Sequence, residues 1–220
     1  MEPIDWTIAP TEKQFFLEVK QKITDRKCRA GIGLAWVLSV SAHEGQLREG
    51  GDPYVTHCQA VAWYILTQTG IKDQLRLTIL LIVALLHDTQ EDTIFDQKSF
   101  WEFAFGHFNA EIAECIHALT KYKKGDRFRR LLASNHPAVF FIKGVDRLHN
   151  LITIFSFKST AKIAYKVQET KDVILPWLKD TSRLDNRYQT LDLLKELKLI
   201  VQMIEAQLAY IEKRLTELPS

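Results

Sequence analysis

The chain has 220 residues, 46% apolar and 25% charged, which is the composition of one globular domain able to bury roughly 70% of its unfolded surface. Its 29 basic and 27 acidic residues leave a net charge of +2, which excludes a global field for nucleic acid or anionic membrane and leaves only local patches. The longest apolar run, Ile79 to Leu86, is far too short for a bilayer, no secretory h-region opens the chain, and Cys28, Cys58 and Cys115 form no CxxC, all of which suit a reducing cytosol.

Helical periodicity runs nearly throughout, with no period-2 stretch and no Asn-Gly or Asp-Gly hairpin signal, so the expected class is all-α. Thr11 is the expected N-cap of a helix to about Cys28, followed by a helix from about Ile32 to His43. Gly45, Gly50, Gly51 and Pro53 mark a loop. Helices then follow at about 54–69 and 73–88, and, separated by Gly106, at about 97–105 and 107–120. A basic loop precedes a short helix at about 127–133, and Asn135-His136-Pro137 starts another through about Phe157. Ser159 can cap a helix to about Leu175, where Pro176 kinks or ends it.

The last helix is expected from about Asn186 to Glu217, with a polar break at 179–186 before it. This divides the chain into a domain at 1–185 and a C-terminal helix at 186–220. Leu194, Leu197, Val201, Ile204, Leu208, Ile211, Leu215 and Leu218 form a heptad seam. The seam fits either a homodimer through this helix or packing on its own domain.

Chemistry concentrates in three segments. His87-Asp88 ends the apolar stretch 77–86, so an imidazole and a carboxylate sit at the end of a buried helix, where a divalent metal would compensate them. Glu91 and Asp92 each follow one of that pair by four residues, which places two further acids where one can hold or deprotonate a water. A solvated acidic helix end reads the same way. His57 opens a helix after Pro53-Tyr54, as a ligand or as a satisfied core histidine. Lys143, Asp146, Asn150 and Thr153 share one helix face, a poor core stripe and a good ligand face. His149 fits either a partner behind the ligands or a pair inside the bundle. Lys121, Lys123, Lys124, Arg127, Arg129 and Arg130 form a basic run that is either a solvated face or a grip for phosphates.

The set His57, His87-Asp88 and Asp146 resembles the HD superfamily of metal-dependent phosphohydrolases. Longer strings resemble the hydrolase domain of RelA/SpoT-type alarmone enzymes. They are His43-Glu44-Gly45-Gln46-Leu47-Arg48, Gly51-Asp52-Pro53-Tyr54, Ala84 through Thr93, Phe105-Gly106, Leu119-Thr120-Lys121, Asp146 through Asn150, and Glu169-Thr170, in that order over about residues 33–180. The resemblance implies an HD-domain helical bundle and hydrolysis of ppGpp or pppGpp to GDP or GTP plus pyrophosphate, with Mn²⁺. Carried over, His57, His87, Asp88 and Asp146 hold the metal, and Glu91 and Asp92 position and activate the water. Arg48 lies against guanine, Asn150 and Thr153 contact the nucleotide, and Lys143 and Lys121 line the pocket.

Three positions depart from the pattern: Glu49 stands where a second basic residue is common, Cys58 where proline is usual, and Ile152 where arginine is frequent. They keep other substrates in view, a ppApp-type alarmone or NADPH, as well as a non-catalytic alarmone sensor on the same fold. The synthetase and regulatory domains of long members do not fit in 220 residues, so the expectation is a stand-alone small alarmone hydrolase of the cytosol.

Overall fold

The computed structural model describes residues 8–90, 97–121, 128–157, 159–187 and 191–217. Among these there is no strand, only one isolated bridge between Leu47 and Pro53. No helix is long and apolar enough to cross a membrane.

Local capping chemistry sets most helix starts. Thr11 caps α1 (Glu12–Lys22) in a reciprocal box: its hydroxyl accepts from the Gln14 amide, and the Gln14 side chain accepts from the Thr11 amide at 2.9 Å. This helix stops short of Cys28, because Ile23 turns extended with its side chain fully buried and Asp25 caps α2 (Arg26–Ala42) through the Cys28 amide at 2.8 Å. A second cap inside the expected helix thus splits it. α3 (Val55–Gln68) and α4 (Gln74–Leu86) follow, the latter capped by Asp73.

The break between α5 (Gln97–His107) and α6 (Ala110–Leu119) falls at Asn109 and not at Gly106. Asn109 accepts from the Ile112 amide at 2.8 Å, and a competent cap outweighs the modest helix penalty of a glycine. α7 (Arg129–Ala133) leads to α8 (Pro137–Ile152), which ends earlier than expected in a short 3₁₀ turn at Ile154–Ser156. α9 (Thr160–Glu169) starts at Ser159 and does not end at Pro176. Five residues of wider π winding, Thr170–Ile174, carry it into α10 (Leu175–Lys179) and accommodate the missing proline amide.

α8 is the central element. It packs against α11 (Leu191–Thr216), α3, α4 and α6, and its residues from Pro137 through His149 are buried. α4 is likewise buried from Leu77 to Leu86, as expected of a helix apolar all round. α11 lies so close to α8 that a Cβ on Gly144 would stand 2.7 Å from Ile200 Cγ2. Its buried stripe is Leu193, Leu197, Ile200, Ile204, Leu208 and Ile211, with Leu194, Val201 and Leu215 half-buried on the flanks. Leu218, the last seam position, lies outside the described residues. A straight helix drifts about 20° per heptad, so the inward stripe follows 3.6 residues per turn and crosses the heptad seam. The expected seam is largely consumed inside the chain, and its burial requires no second copy.

Candidate metal centre and nucleotide cavity

Three helices bring four ligand-bearing side chains together. His57 comes from the first turn of α3, His87 and Asp88 from the end of α4, and Asp146 from the middle of α8. One ligand atom from each lies within 4.8 Å of all the others, and all four residues are buried. His57 Nε2 is 3.1 Å from Asp146 Oδ1 and 3.7 Å from Asp88 Oδ2. His87 Nε2 is 3.3 Å from Asp88 Oδ2 and 3.8 Å from Asp146 Oδ1.

Neighbours fix these groups from outside. Lys143 Nζ donates to Asp146 Oδ2 at 2.6 Å, Asn150 Nδ2 donates to Asp146 Oδ1 at 2.6 Å, and the Tyr54 hydroxyl donates to Asp88 Oδ2 at 2.8 Å. Burial alone would raise both carboxyl pKa values. For Asp146 the Lys143 charge leads the opposing effects, and for Asp88 the His87 ring does, so both remain ionised well below the usual range. The Asp88 charge, followed by burial, pushes the Tyr54 hydroxyl far up, so it remains a donor.

The donor set fits a divalent cation. His87 Nδ1 lies 2.7 Å from the Ala84 carbonyl and must carry a hydrogen to donate to it. Its other nitrogen, Nε2, is buried, has no hydrogen-bond partner, and faces two carboxylates. Burial disfavours a charge on this ring, yet Asp88 and then Asp146 outweigh it and hold its pKa up at about 10. The pocket therefore asks for one more positive charge at that nitrogen. Two imidazoles and two carboxylates are borderline-hard ligands suited to Mn, Fe, Co or Zn.

Beside this cluster opens a cavity of about 550 Å³, counting its solvent-filled mouth. Asp88, Asp146 and Asn150 line it together with Lys121, Lys143, Arg147 and Lys166. Thr120 donates to Gln90 at 2.8 Å, which explains why the Leu119-Thr120-Lys121 string accompanies the His-Asp segment: α6 holds the chain just before residue 91. The expected water-activating residues, Glu91 and Asp92, lie outside the described residues, as do Lys123, Lys124 and Arg127 of the basic run.

Arg48 sits in the loop between α2 and α3. Gly51, with a φ of 98°, lets the chain reverse there, and Arg48 and Asp52 bond backbone to backbone at 2.8 Å. The Arg48 guanidinium donates to Asn150 Oδ1 at 2.9 Å and reaches Thr153 Oγ1 at 3.4 Å. The structure thus joins Arg48, Asn150 and Thr153. Arg48 and Thr153 line a second, more open cavity with Ile152. Glu49 turns away to pair with Lys162 at 3.1 Å.

Several participants were not singled out for these roles by the sequence. Tyr54 stands three residues before His57 and so shares its side of the helix start, a usable signal for a ligand's partner. Arg147 pairs with Glu169 at 2.7 Å and reaches Thr170 at 3.2 Å, which gives the Glu169-Thr170 string a structural role. Glu169 also meets Lys166 at 3.3 Å. Nothing in local spacing relates α8 to α9, so this pairing is visible only in three dimensions.

Comparison with known proteins places the chain in a family. The HD domain matches residues 35–176. A GTP pyrophosphokinase of Myxococcus xanthus is 33% identical over 161 residues, covering 66% of this chain and 20% of its own length. The bifunctional (p)ppGpp synthase/hydrolase RelA of Mycobacterium tuberculosis is 36% identical over 148 residues, covering 64% and 19%. The chain thus spans about one-fifth of the length of the curated relatives it matches. A solved metazoan ortholog of SpoT, described as hydrolysing ppGpp, superposes with a TM-score of 0.57 at 21% identity, covering 81% of this chain and 95% of that one, so the two share a fold. With the His-Asp cluster, its three helices and the matched span in agreement, the chain belongs to the HD-domain family.

Proposed function

We propose that the protein is a metal-dependent pyrophosphohydrolase of the alarmones ppGpp and pppGpp, releasing pyrophosphate and GDP or GTP, and that it works in the cytosol with Mn²⁺. The observation that carries this reading is the buried His57, His87, Asp88 and Asp146 cluster opening directly onto a cavity lined by lysine and arginine. A strongly anionic phosphate ester brought against a cation-binding cluster is the arrangement that phosphate hydrolysis needs. Similarity to a bifunctional (p)ppGpp synthase/hydrolase narrows the phosphate ester to a guanosine alarmone.

In this reading the four clustered residues hold the ion. Bound Mn²⁺ would supply a water of lowered pKa and neutralise charge on the attacked phosphate. Glu91 and Asp92 orient that water and accept its proton. Lys121 and Lys143 meet the phosphates, Arg48 lies against the base, and Asn150 and Thr153 contact the nucleoside. Lys166 joins them, since it faces the same cavity. The water oxygen bonds to the phosphorus next to the ribose as the bond from that phosphorus to the ribose 3′-oxygen breaks; the 3′-oxygen leaves on GDP or GTP and takes a proton, and the attacked phosphorus departs within pyrophosphate.

The test is turnover of ppGpp, pppGpp, ppApp and NADPH with added Mn²⁺, read by product identity. Pyrophosphate with GDP or GTP is the expected outcome. Preferential turnover of ppApp or NADPH would move the substrate assignment. Nucleotide binding without turnover of any of the four would make the protein an alarmone sensor.

A further inference from the structure

We propose that Asp52 selects guanine: its carboxylate accepts from the two adjacent donors, N1–H and the 2-amino group, on the edge of a purine seated in the second cavity. The inference rests on the alarmone reading above and names the group that tells guanine from adenine within it. One hydrogen bond joins the two cavities, since Asn150 lines the first and accepts at 2.9 Å from Arg48, which lines the second. A nucleotide with its phosphates at Lys121 and Lys143 that crosses Asn150 puts its base in the second cavity. That cavity measures about 520 Å³ with its solvent-filled mouth.

The loop that carries Asp52 is closed on itself. The Arg48 amide donates to the Asp52 carbonyl at 2.8 Å, and the Gly51 amide donates to the Arg48 carbonyl at 2.9 Å. The loop also lies directly on the 3₁₀ turn at Ile154–Ser156: a Cβ on Gly50 would stand 3.0 Å from Ser156 Cβ and 3.7 Å from Asp52 Oδ2. The carboxylate is thus placed where loop and turn meet, and both line the cavity. Phe155 of that turn is 41% exposed and meets Tyr210 of α11 edge to face at 6.4 Å, which leaves an aromatic surface for a purine to cover. Among the described residues that line the cavity, Asp52 is the one acid. Nearby cations are committed elsewhere, Arg48 to Asn150 and Thr153, and Lys162 to Glu49. A carboxylate only accepts, and guanine offers it two hydrogens side by side. Adenine presents a lone pair at N1 and a C–H at C2, so the same carboxylate meets an acceptor with no hydrogen between them.

Calorimetric titration of the full chain with GDP, IDP and ADP, without added metal, reads the base apart from the chemistry. The wild type should bind GDP roughly 10-fold more tightly than IDP, which lacks the 2-amino group, and about 10–100-fold more tightly than ADP. Asp52→Ala should bring the three affinities together. Asp52→Asn, whose amide can donate to adenine N1, should move the preference toward ADP. Asp52 is exposed, so neither change disturbs the core, and the wild-type series needs no variant at all. Equal wild-type affinity for GDP and IDP, no measurable GDP binding, or a GDP preference that survives in Asp52→Ala would overturn the proposal. Pyrophosphate release from ppGpp with Mn²⁺, measured beside these titrations, tests the hydrolase reading separately: its absence would remove that reading, while the titrations still decide whether Asp52 selects the base.

Discussion

Tyr54 and Asp88, 34 residues apart, meet through one hydrogen bond of 2.8 Å that aims a carboxylate into the cluster. Tyr54 also stacks on His43, at 4.9 Å between ring centroids, so its hydroxyl is held by a packed ring. Tyr54→Phe keeps that stack and removes only the hydroxyl. Mn²⁺ affinity should fall about 10–100-fold with the helical spectrum unchanged, as equilibrium dialysis and circular dichroism would show. Unchanged affinity would mean that Asp88 is oriented by its backbone alone.

Asp146 is both a proposed ligand and the partner of Lys143. Asp146→Ala should abolish Mn²⁺ binding and turnover together, because it removes one of four protein ligands. It also strands a buried ammonium, so unfolding should cost about 3–5 kcal/mol less. Denaturation of Asp146→Ala beside Lys143→Met/Asp146→Ala checks the second effect: the double variant should recover stability without recovering metal.

Glu91 is proposed to act on water and not on the ion. Glu91→Gln retains shape and removes the base, so Mn²⁺ should bind as before while turnover falls roughly 10²–10⁴-fold. Loss of metal together with activity would make Glu91 a ligand, and normal turnover would take it out of the chemistry.

The His87 ring, held at about 10 by Asp88 and Asp146, carries a proton at neutral pH when no metal is bound. Burial keeps His57 low, so it contributes none. Metal uptake at pH 7 should then release about one proton, measurable by calorimetry in buffers of different ionisation enthalpy. The sign follows: affinity should rise with pH up to about 10 and level off above it. In the metal-free protein the charged ring stabilises the fold fully below about 6.5, and that contribution is lost as pH rises through about 10.

The clustered histidines and aspartates were legible because their residue types and order are themselves chemical statements. A histidine and an aspartate at the end of a helix apolar from Leu77 to Leu86 must be buried, and burial demands compensation. Lys143, Asp146, Asn150 and Thr153 announced a face by spacing, and α8 does present them together. What spacing could not give was contact between distant segments: Arg48 with Asn150, Arg147 with Glu169, His57 with His149. The helix boundary at 23–25 was missed because Thr24-Asp25 reads as helix interior until Asp25 is seen to cap. The seam of α11 was correctly apolar, but an apolar stripe carries no label for its partner.

The 2.7 Å gap that a methyl group at Gly144 would meet ties the site to a helix that contributes nothing to it. Lys143 and Asp146 flank that glycine, and Ile200 fills the space above it. Position 200 therefore sets the spacing of α8 and α11: Gly144→Ala should push the two helices apart and cost about 1–3 kcal/mol, while Gly144→Ala with Ile200→Ala should fit again. Thermal unfolding of the pair would show the rescue. A residue outside the cluster thus governs how closely the terminal helix can approach the helix that carries Asp146.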